Sequence, residues 1–243
     1  MKAGSPASIF LGIKTGISHS NACLLDLEKK TAEIRIEERL SRRKYQGGYP
    51  SLSLKSLLEF NKELIRVNPG HVATNSCTHH PKKFENKISK FSQLVPQTSV
   101  LENKEMLFPS HHHCHALSAL AQLDINEGYV LVCDGVGSRY EDFSDSKKFG
   151  VNGENETLSL YKFSHENLEL IFRECSHHEV LVKENREYPV NSGIGSLYMN
   201  AANAIFGDWR ASGKVMGLSA YGQRDPDLMR LSQSEFNQLL VDS

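Results

Sequence analysis

Ser8–Glu38, SIFLGIKTGISHSNACLLDLEKKTAEIRIEE, is the stretch that decides the fold. Ser8–Ile13 is apolar enough to predict a buried strand, and it stops at Lys14–Ser18, a Gly/Thr/Ser turn. Ala22–Leu27 and Ala32–Glu38 then read as two strands joined by the polar turn Glu28-Lys29-Lys30, a hairpin. Working outward, Leu54, Leu57, Leu58, Phe60, Leu64 and Ile65 recur at helical spacing and predict a helix over Leu52–Val67. Val72–Asn75 reads as a short strand and Phe84–Phe91 as a weak helix. His111–Leu123 is a predicted helix with Leu117, Leu120 and Leu123 as its apolar stripe.

The pattern then starts again. Tyr129–Asp134 is a predicted buried strand followed by the glycine turn Gly135–Gly137. Thr157–Phe163 and Leu168–Cys175 predict a second hairpin around Ser164-His165-Glu166-Asn167. Ile194–Phe206 predicts a helix stopped by Gly207, and Asp227–Val241 a last helix. Strand, glycine turn, hairpin and helix, repeated, is the pattern of an α/β chain with the duplicated ribonuclease-H-like fold of actin and the sugar kinases. The expected division is a first lobe over residues 1–127 and a second, incomplete lobe over 128–243. No room remains for a further catalytic domain, so the sequence reads as a truncated or short version.

Composition narrows the classes of function. The 243 residues carry 28 Lys+Arg against 29 Asp+Glu, a near-balance that argues against nucleic acid or an anionic membrane as a bulk electrostatic partner. Cys23, Cys77, Cys114, Cys133 and Cys175 are odd in number and scattered without a CxxC pair, which argues against a disulfide framework and for a reducing compartment. The opening MKAGSPASIFLGI has too short an apolar stretch for a signal peptide, and no window approaches a membrane span. The expected location is the cytoplasm.

Five features could carry chemistry. In Ser110-His111-His112-His113-Cys114-His115, a helix puts His111 and His115 at i and i+4, about 6 Å apart at Cβ, where two imidazoles can share a divalent metal. A histidine-rich surface helix is the plainer alternative. Asp134 sits at the tip of a predicted strand, placed to complete a metal site or simply to open an Asp-Gly turn. Gly135 and Gly137 would let backbone N–H groups approach a phosphate. Glu38 shares the parity of Ile34 and Ile36, so if those face a core its carboxylate enters a buried or cleft environment. Arg39, Arg42, Arg43 and Lys44 beside it could hold anionic oxygens or form a solvated charged loop. Gly193-Ile194-Gly195-Ser196 opens a helix whose N-terminus could face a nucleotide, and Lys214 stands in Gly213-Lys214-Val215-Met216-Gly217-Leu218; neither is a Walker motif. His19 follows the first glycine turn.

Taken together and in order, LGIKTGISHSNACLL, IEERLSRRKYQGGYP, HHHCHALSAL, VLVCDGVG, GSLYMNAANAIFG and GKVMGLSAYG resemble the carbamoyltransferase family that includes nodulation-factor and antibiotic-tailoring O-carbamoyltransferases. The resemblance runs from Leu11 to Gly222. The HxxxH pair is shared more widely, with hydrogenase-maturation carbamoyltransferases and with tRNA threonylcarbamoyl transferases. One departure is His19-Ser20-Asn21-Ala22-Cys23, where the family has a different pair after its histidine.

The resemblance implies an actin-like N-terminal domain holding a metal, iron foremost and zinc as the alternative, beside an ATP-derived carbamoyl-adenylate. It implies His111, His115 and Asp134 as metal ligands, and Gly135, Gly137, Gly195 and Lys214 on the nucleotide side. It puts His19 near the acceptor, where an imidazole makes it the candidate general base; Glu38 and Arg39 are the candidates for orienting the carbamoyl end. The expected acceptor is a small molecule with a hydroxyl. The family's further aspartate ligand and its carbamoyl-adenylate-forming synthetase domain have no counterpart here, so the chain is expected to need a missing C-terminal half or a second chain for full activity. The alternatives are a non-catalytic metal- and nucleotide-binding module and a protein like the tRNA threonylcarbamoyl transferases.

Overall fold

The computed structural model describes residues 9–16, 19–61, 72–75, 106–140, 154–165, 167–177, 179–183, 186–190, 193–227 and 235. The chain divides into two compact units, residues 1–111 and 112–243.

In the first unit, β1 (Ile9–Lys14), β2 (Asn21–Asp26) and β3 (Thr31–Ile36) form an antiparallel meander. β4 (Val72–Asn75) and β5 (Met106–Leu107) join parallel on the far side of β1, giving the order β3-β2-β1-β4-β5. That order, with β2 alone antiparallel to the others, is the ribonuclease-H-like sheet. Asp26 sets the β2–β3 turn by accepting the N–H groups of Glu28 at 3.1 Å and Lys29 at 3.0 Å. The Lys29 N–H is the main reason the Asp26 carboxyl titrates below its ordinary range.

Register fixes which face is covered. Leu11 lies opposite Leu24 and Val72, and Ile13 opposite Ala22, so these apolar side chains share one face with Ile9. They pack with Leu54 and Leu57 of α2 (Ser51–Phe60), whose Leu54, Leu57 and Leu58 form an i, i+3, i+4 stripe. Burying each such side chain contributes roughly 1.5–3 kcal/mol. The predicted extension of this helix to Val67, and the predicted helix Phe84–Phe91, fall on residues outside those described.

Ile34 and Ile36 do not face this core; they are 58 % and 41 % exposed. The covered face of β3 carries Glu33 and Arg35 instead. Asn61 of the α2 end donates to Glu33 Oε2 at 2.9 Å, and Arg35 Nε donates to Ser56 Oγ at 3.4 Å. The chain also leaves the strand at Ile36 and turns into α1 (Glu37–Ser41), so the parity argument for Glu38 fails at its starting point.

In the second unit, β6 (Glu127–Cys133), β7 (Glu154–Ser164) and β8 (Asn167–His177) form a second antiparallel meander, matching β1-β2-β3 in order and direction. No strand parallel to β6 is present among the described residues. β9 (Glu179–Lys183) and β10 (Arg186–Val190) make a separate hairpin. α3 (His111–Leu120) precedes β6; the division between units falls at its first residue, and it is described with the second unit because Ala116 packs with Val132 and Tyr161. The predicted Leu117 and Leu123 stripe is exposed, at 46 % and 53 %; the helix turns His112 and Ala116 inward. α4 (Ile194–Phe206) ends as expected at Gly207, whose φ of 68° is left-handed. α5 (Ser212–Leu218), flanked by single 3₁₀ turns at Trp209–Ala211 and Ser219–Tyr221, was not anticipated. The expected last helix, Asp227–Val241, falls almost wholly outside the described residues. Among the described residues no helix is long and apolar enough to cross a membrane.

Candidate metal centre

α3 and the end of β6 bring three donors together. His111 and His115 lie one helical turn apart on α3, and Asp134 is the first residue beyond β6. One ligand atom from each lies within 4.8 Å of the other two. His115 Nε2 stands 3.9 Å from Asp134 Oδ2. Donors about 2.1 Å from a tetrahedral zinc or iron ion lie about 3.4 Å from one another, so this set closes on an ion with a small rotation of the side chains. His111 and Asp134 are half-buried and His115 is exposed, so an ion can reach them from solvent. Two imidazoles and a carboxylate suit zinc, iron or cobalt better than magnesium or calcium, which take oxygen donors.

The strand tip is firmly held. Asp134 N–H donates to the Thr157 carbonyl at 3.1 Å, and Asp134 Oδ1 accepts the Gly135 N–H at 2.7 Å. Gly137 N–H donates to the Glu156 carbonyl at 2.8 Å. Both glycine N–H groups therefore already have protein acceptors, and the turn as it stands does not offer them to a phosphate. The glycines serve close packing. A Cβ on Gly195 would collide with the Gly135 backbone, and one on Gly137 would collide with the Glu156 side chain. Gly195 thus lets the first turn of α4 rest on the Asp134–Gly135 peptide. Lys214 is exposed on α5, its ammonium 5.2 Å from the centre of the Phe206 ring.

His112 and His113 point away from the donor set. His113 meets the Tyr161 ring edge-on, with centroids 5.9 Å apart. His112 is fully buried, its Nδ1 2.8 Å from Ser159 Oγ. Around it lies a polar network that the sequence reading missed. Glu156 and Arg173, both with fully buried side chains, pair at 3.2 Å, and Arg173 also donates to Tyr161 Oη at 3.1 Å. Glu156 lies just before the predicted strand Thr157–Phe163, and Arg173 lies beside Glu174 near the end of the predicted strand Leu168–Cys175; nothing local marks either as inward.

In the first unit, His19, Glu38 and Arg39 are only partly drawn together. His19 is exposed, in the left-handed region at φ 54°, and touches the Tyr45 ring edge-on at 5.4 Å between centroids. Glu38 Oε2 accepts the Tyr45 N–H at 2.7 Å, so Tyr45 joins the two. Tyr45 itself has φ 58°, a conformation that costs a side-chain-bearing residue roughly 1–2 kcal/mol. Arg39 is exposed on α1. The buried carboxylate of this segment is Glu37, not Glu38. Its oxygens accept the N–H groups of Leu52 at 3.1 Å and Ser53 at 2.8 Å and the Ser53 hydroxyl at 2.8 Å, satisfying the first turn of α2.

No protein-family model and no curated protein matches the chain. Among solved structures it is similar to YeaZ from Pseudomonas aeruginosa, at 9 % identity and TM-score 0.40 over 73 % of this chain and 70 % of that one. An uncharacterized protein with similarity to peptidase YEAZ from Pseudomonas aeruginosa gives 12 % identity and TM-score 0.38 over the same shares, 73 % and 70 %.

Proposed function

We propose that this chain is the metal-binding, actin-like part of an enzyme that transfers a carbamoyl group from an adenylate to an acceptor hydroxyl. The observation that carries the reading is the convergence of His111, His115 and Asp134, three donors of the right chemistry on rigid elements. Their fit to one ion is geometric and does not depend on the sequence resemblance that implies the same three ligands.

In this reading His111, His115 and Asp134 hold a divalent metal, which when bound supplies positive charge toward the leaving phosphate. The chain's own residues do the rest. The acceptor oxygen forms a bond to the carbamoyl carbon, the bond from that carbon to the adenylate phosphate breaks, and AMP leaves with the electron pair. His19 takes the acceptor's proton. Glu38 and Arg39 orient the carbamoyl end, with Glu38 held in place by the Tyr45 N–H. The side of the turn bearing Gly135, Gly137 and Gly195, with Lys214, is assigned to the nucleotide. We assign the protein to the cytoplasm, in keeping with cysteines scattered along the sequence without a CxxC pair.

A second reading is a metal-binding module that turns nothing over without a partner, as a tRNA threonylcarbamoyl transferase-like protein would be if its remaining donors came from elsewhere. It is favoured by the Gly135 and Gly137 N–H groups, which are already committed within the turn. Cobalt titration tests the shared premise. Wild-type protein should take up a single equivalent with visible absorption bands, and His111→Ala, His115→Ala and Asp134→Asn should each remove them. Retention of the bands in all three variants would overturn the metal centre. AMP release from supplied carbamoyl-adenylate or threonylcarbamoyl-adenylate then separates the readings. Turnover by this chain supports the enzyme, and cobalt binding without AMP release supports the module.

A further inference from the structure

We propose that Glu156 is the positioning residue of the metal centre, one carboxylate oxygen tying together the two elements that carry the donors. The proposal rests on the metal reading above and extends it to a residue to which neither the sequence nor any resemblance gave a role.

Glu156 lies on β7, and its side chain is completely buried. Its Oε1 accepts two backbone N–H groups: that of His112, in the first turn of α3, at 2.9 Å, and that of Ser138, at the end of the Asp134 turn, at 3.1 Å. His112 directly follows His111. Ser138 closes the turn that Asp134 opens. A single oxygen thus fixes the N-terminus of the helix bearing two donors against the turn bearing the third. The backbone of the same residue adds to the clamp, since Glu156 N–H donates to the Ser138 carbonyl at 3.0 Å and its carbonyl accepts from Gly137. A negative charge at the N-terminus of α3 is also favoured by the helix dipole.

The second oxygen holds the first in place. Oε2 pairs with Arg173 Nε at 3.2 Å, and Arg173 is anchored in turn by Tyr161 Oη. A carboxylate with one oxygen held by a buried guanidinium has little freedom to rotate, so the position of Oε1 is set from β8, on the far side of the sheet from β6. Metal affinity depends on donor spacing, and groups that orient ligands without touching the ion typically change it by about 10- to 100-fold.

The test uses two substitutions and a matched control. Glu156→Asp keeps the charge but withdraws it by about one C–C bond, roughly 1.5 Å. Gly137→Ala leaves Glu156 intact but puts a methyl group against its side chain. Glu37→Asp shortens a second buried carboxylate that accepts helix N–H groups, in the first unit and on a different helix from the donors. Cobalt affinity should fall about 10- to 100-fold in the first two and stay within about twofold of wild type in the third, all three remaining folded by circular dichroism. Amide hydrogen exchange in the metal-free protein gives an independent readout: His112 and Ser138 should exchange faster together in Glu156→Asp and unchanged in Glu37→Asp. If Glu156→Asp does not fold, Gly137→Ala carries the test. Unchanged cobalt affinity with unchanged exchange at His112 and Ser138 overturns the positioning role while leaving the metal centre standing. Absence of cobalt binding by wild type overturns the metal centre, and the exchange data then decide by themselves whether Glu156 joins helix to turn.

Discussion

The two units begin with the same meander and fill it differently. Over β1, β2 and β4 the covered face of the first sheet is apolar: Ile9, Leu11, Ile13, Ala22, Leu24 and Val72 pack with leucines of α2. Among the described residues, the corresponding buried cluster of the second unit is Ala116, Val132 and Tyr161, with partly buried Val130, Leu168 and Leu170 against it. Among the described residues, the other buried positions of β7 and β8 are Asn155, Glu156, Thr157, Ser159, Phe163 and Arg173, all polar but Phe163, and His112 of α3 joins them. An apolar core tolerates small shifts between helix and sheet, because its attraction has no direction. A buried ion pair with shared hydrogen bonds does not, because each bond is lost over a few tenths of an ångström. The first unit is built as a scaffold. The second holds one helix and one turn in a fixed relation, and those two elements carry the candidate metal donors.

The sharpest way to break this comparison is to remove Arg173. Arg173→Ala leaves the buried Glu156 carboxylate without its guanidinium partner, which typically costs about 3–5 kcal/mol, a large part of the margin of a small domain. Urea denaturation should show the second unit destabilised by about that amount. Replacing both partners, Glu156→Met with Arg173→Met, removes the stranded charge but leaves the His112 and Ser138 N–H groups without their acceptor, at about 1–3 kcal/mol each. Together these cost about 2–6 kcal/mol, so the double variant should stay about as destabilised as Arg173→Ala. Full recovery would mean that the pair merely fills space and that the two units are built alike.

How much of this was legible in the sequence follows from the same contrast. Apolar periodicity marked β1, β2 and α2, where most buried positions are apolar; α4 was marked by its length and by Gly207, although its buried residues are Ser196, Asn200, Ala202 and Asn203 and its Ile194, Ile205 and Phe206 are exposed. Periodicity misjudged α3, where His112 and Ala116 face inward while Leu117 and Leu123 are exposed: the helix is placed by a polar network that no hydrophobic pattern records. His111, His115 and Asp134 were legible because an i, i+4 histidine pair and a strand-tip aspartate are local signals. Glu156 and Arg173 were not, since their meaning lies in long-range contacts: Glu156 meets His112 44 residues away. Glu37 was overlooked in favour of Glu38 because Ile34 and Ile36 were given the core face, which the structure gives to Glu33 and Arg35.

A smaller effect is expected at Glu37, the first unit's counterpart of Glu156. It too is a buried carboxylate accepting N–H groups from the first turn of a helix, but it has α2's apolar packing to support the same contact. Glu37→Gln keeps an acceptor oxygen and removes the charge, and the loss should be about 1–2 kcal/mol, in the range for losing one good helix cap. A loss as large as that of Arg173→Ala would show that the first unit also depends on a buried charge.

The smallest effect is a rate. Cys23 on β2 and Cys175 on β8 both lie in sheets and are both partly buried, yet they report different surroundings. Burial alone raises the Cys23 thiol above its ordinary value. Cys175 is pushed up to about 12, by burial first; the guanidinium of Arg173 works against the rise, and the carboxylate of Glu156 adds to it. Alkylation proceeds through the thiolate. Measured from an ordinary value of 9.0, a thiol at about 12 carries about a thousandfold less thiolate at neutral pH. Iodoacetamide, followed by peptide mapping, should therefore label exposed Cys133 first, Cys23 next and Cys175 last. The sign carries over to stability: a thiol that resists ionisation only when folded stabilises the protein below its unfolded value, and that contribution is lost as pH rises from about 9 towards 12. Labelling of Cys175 as fast as Cys23, in protein that keeps its circular dichroism, would mean that the second sheet opens readily to solvent. The network around Glu156 would then be too loose to hold helix and turn in register.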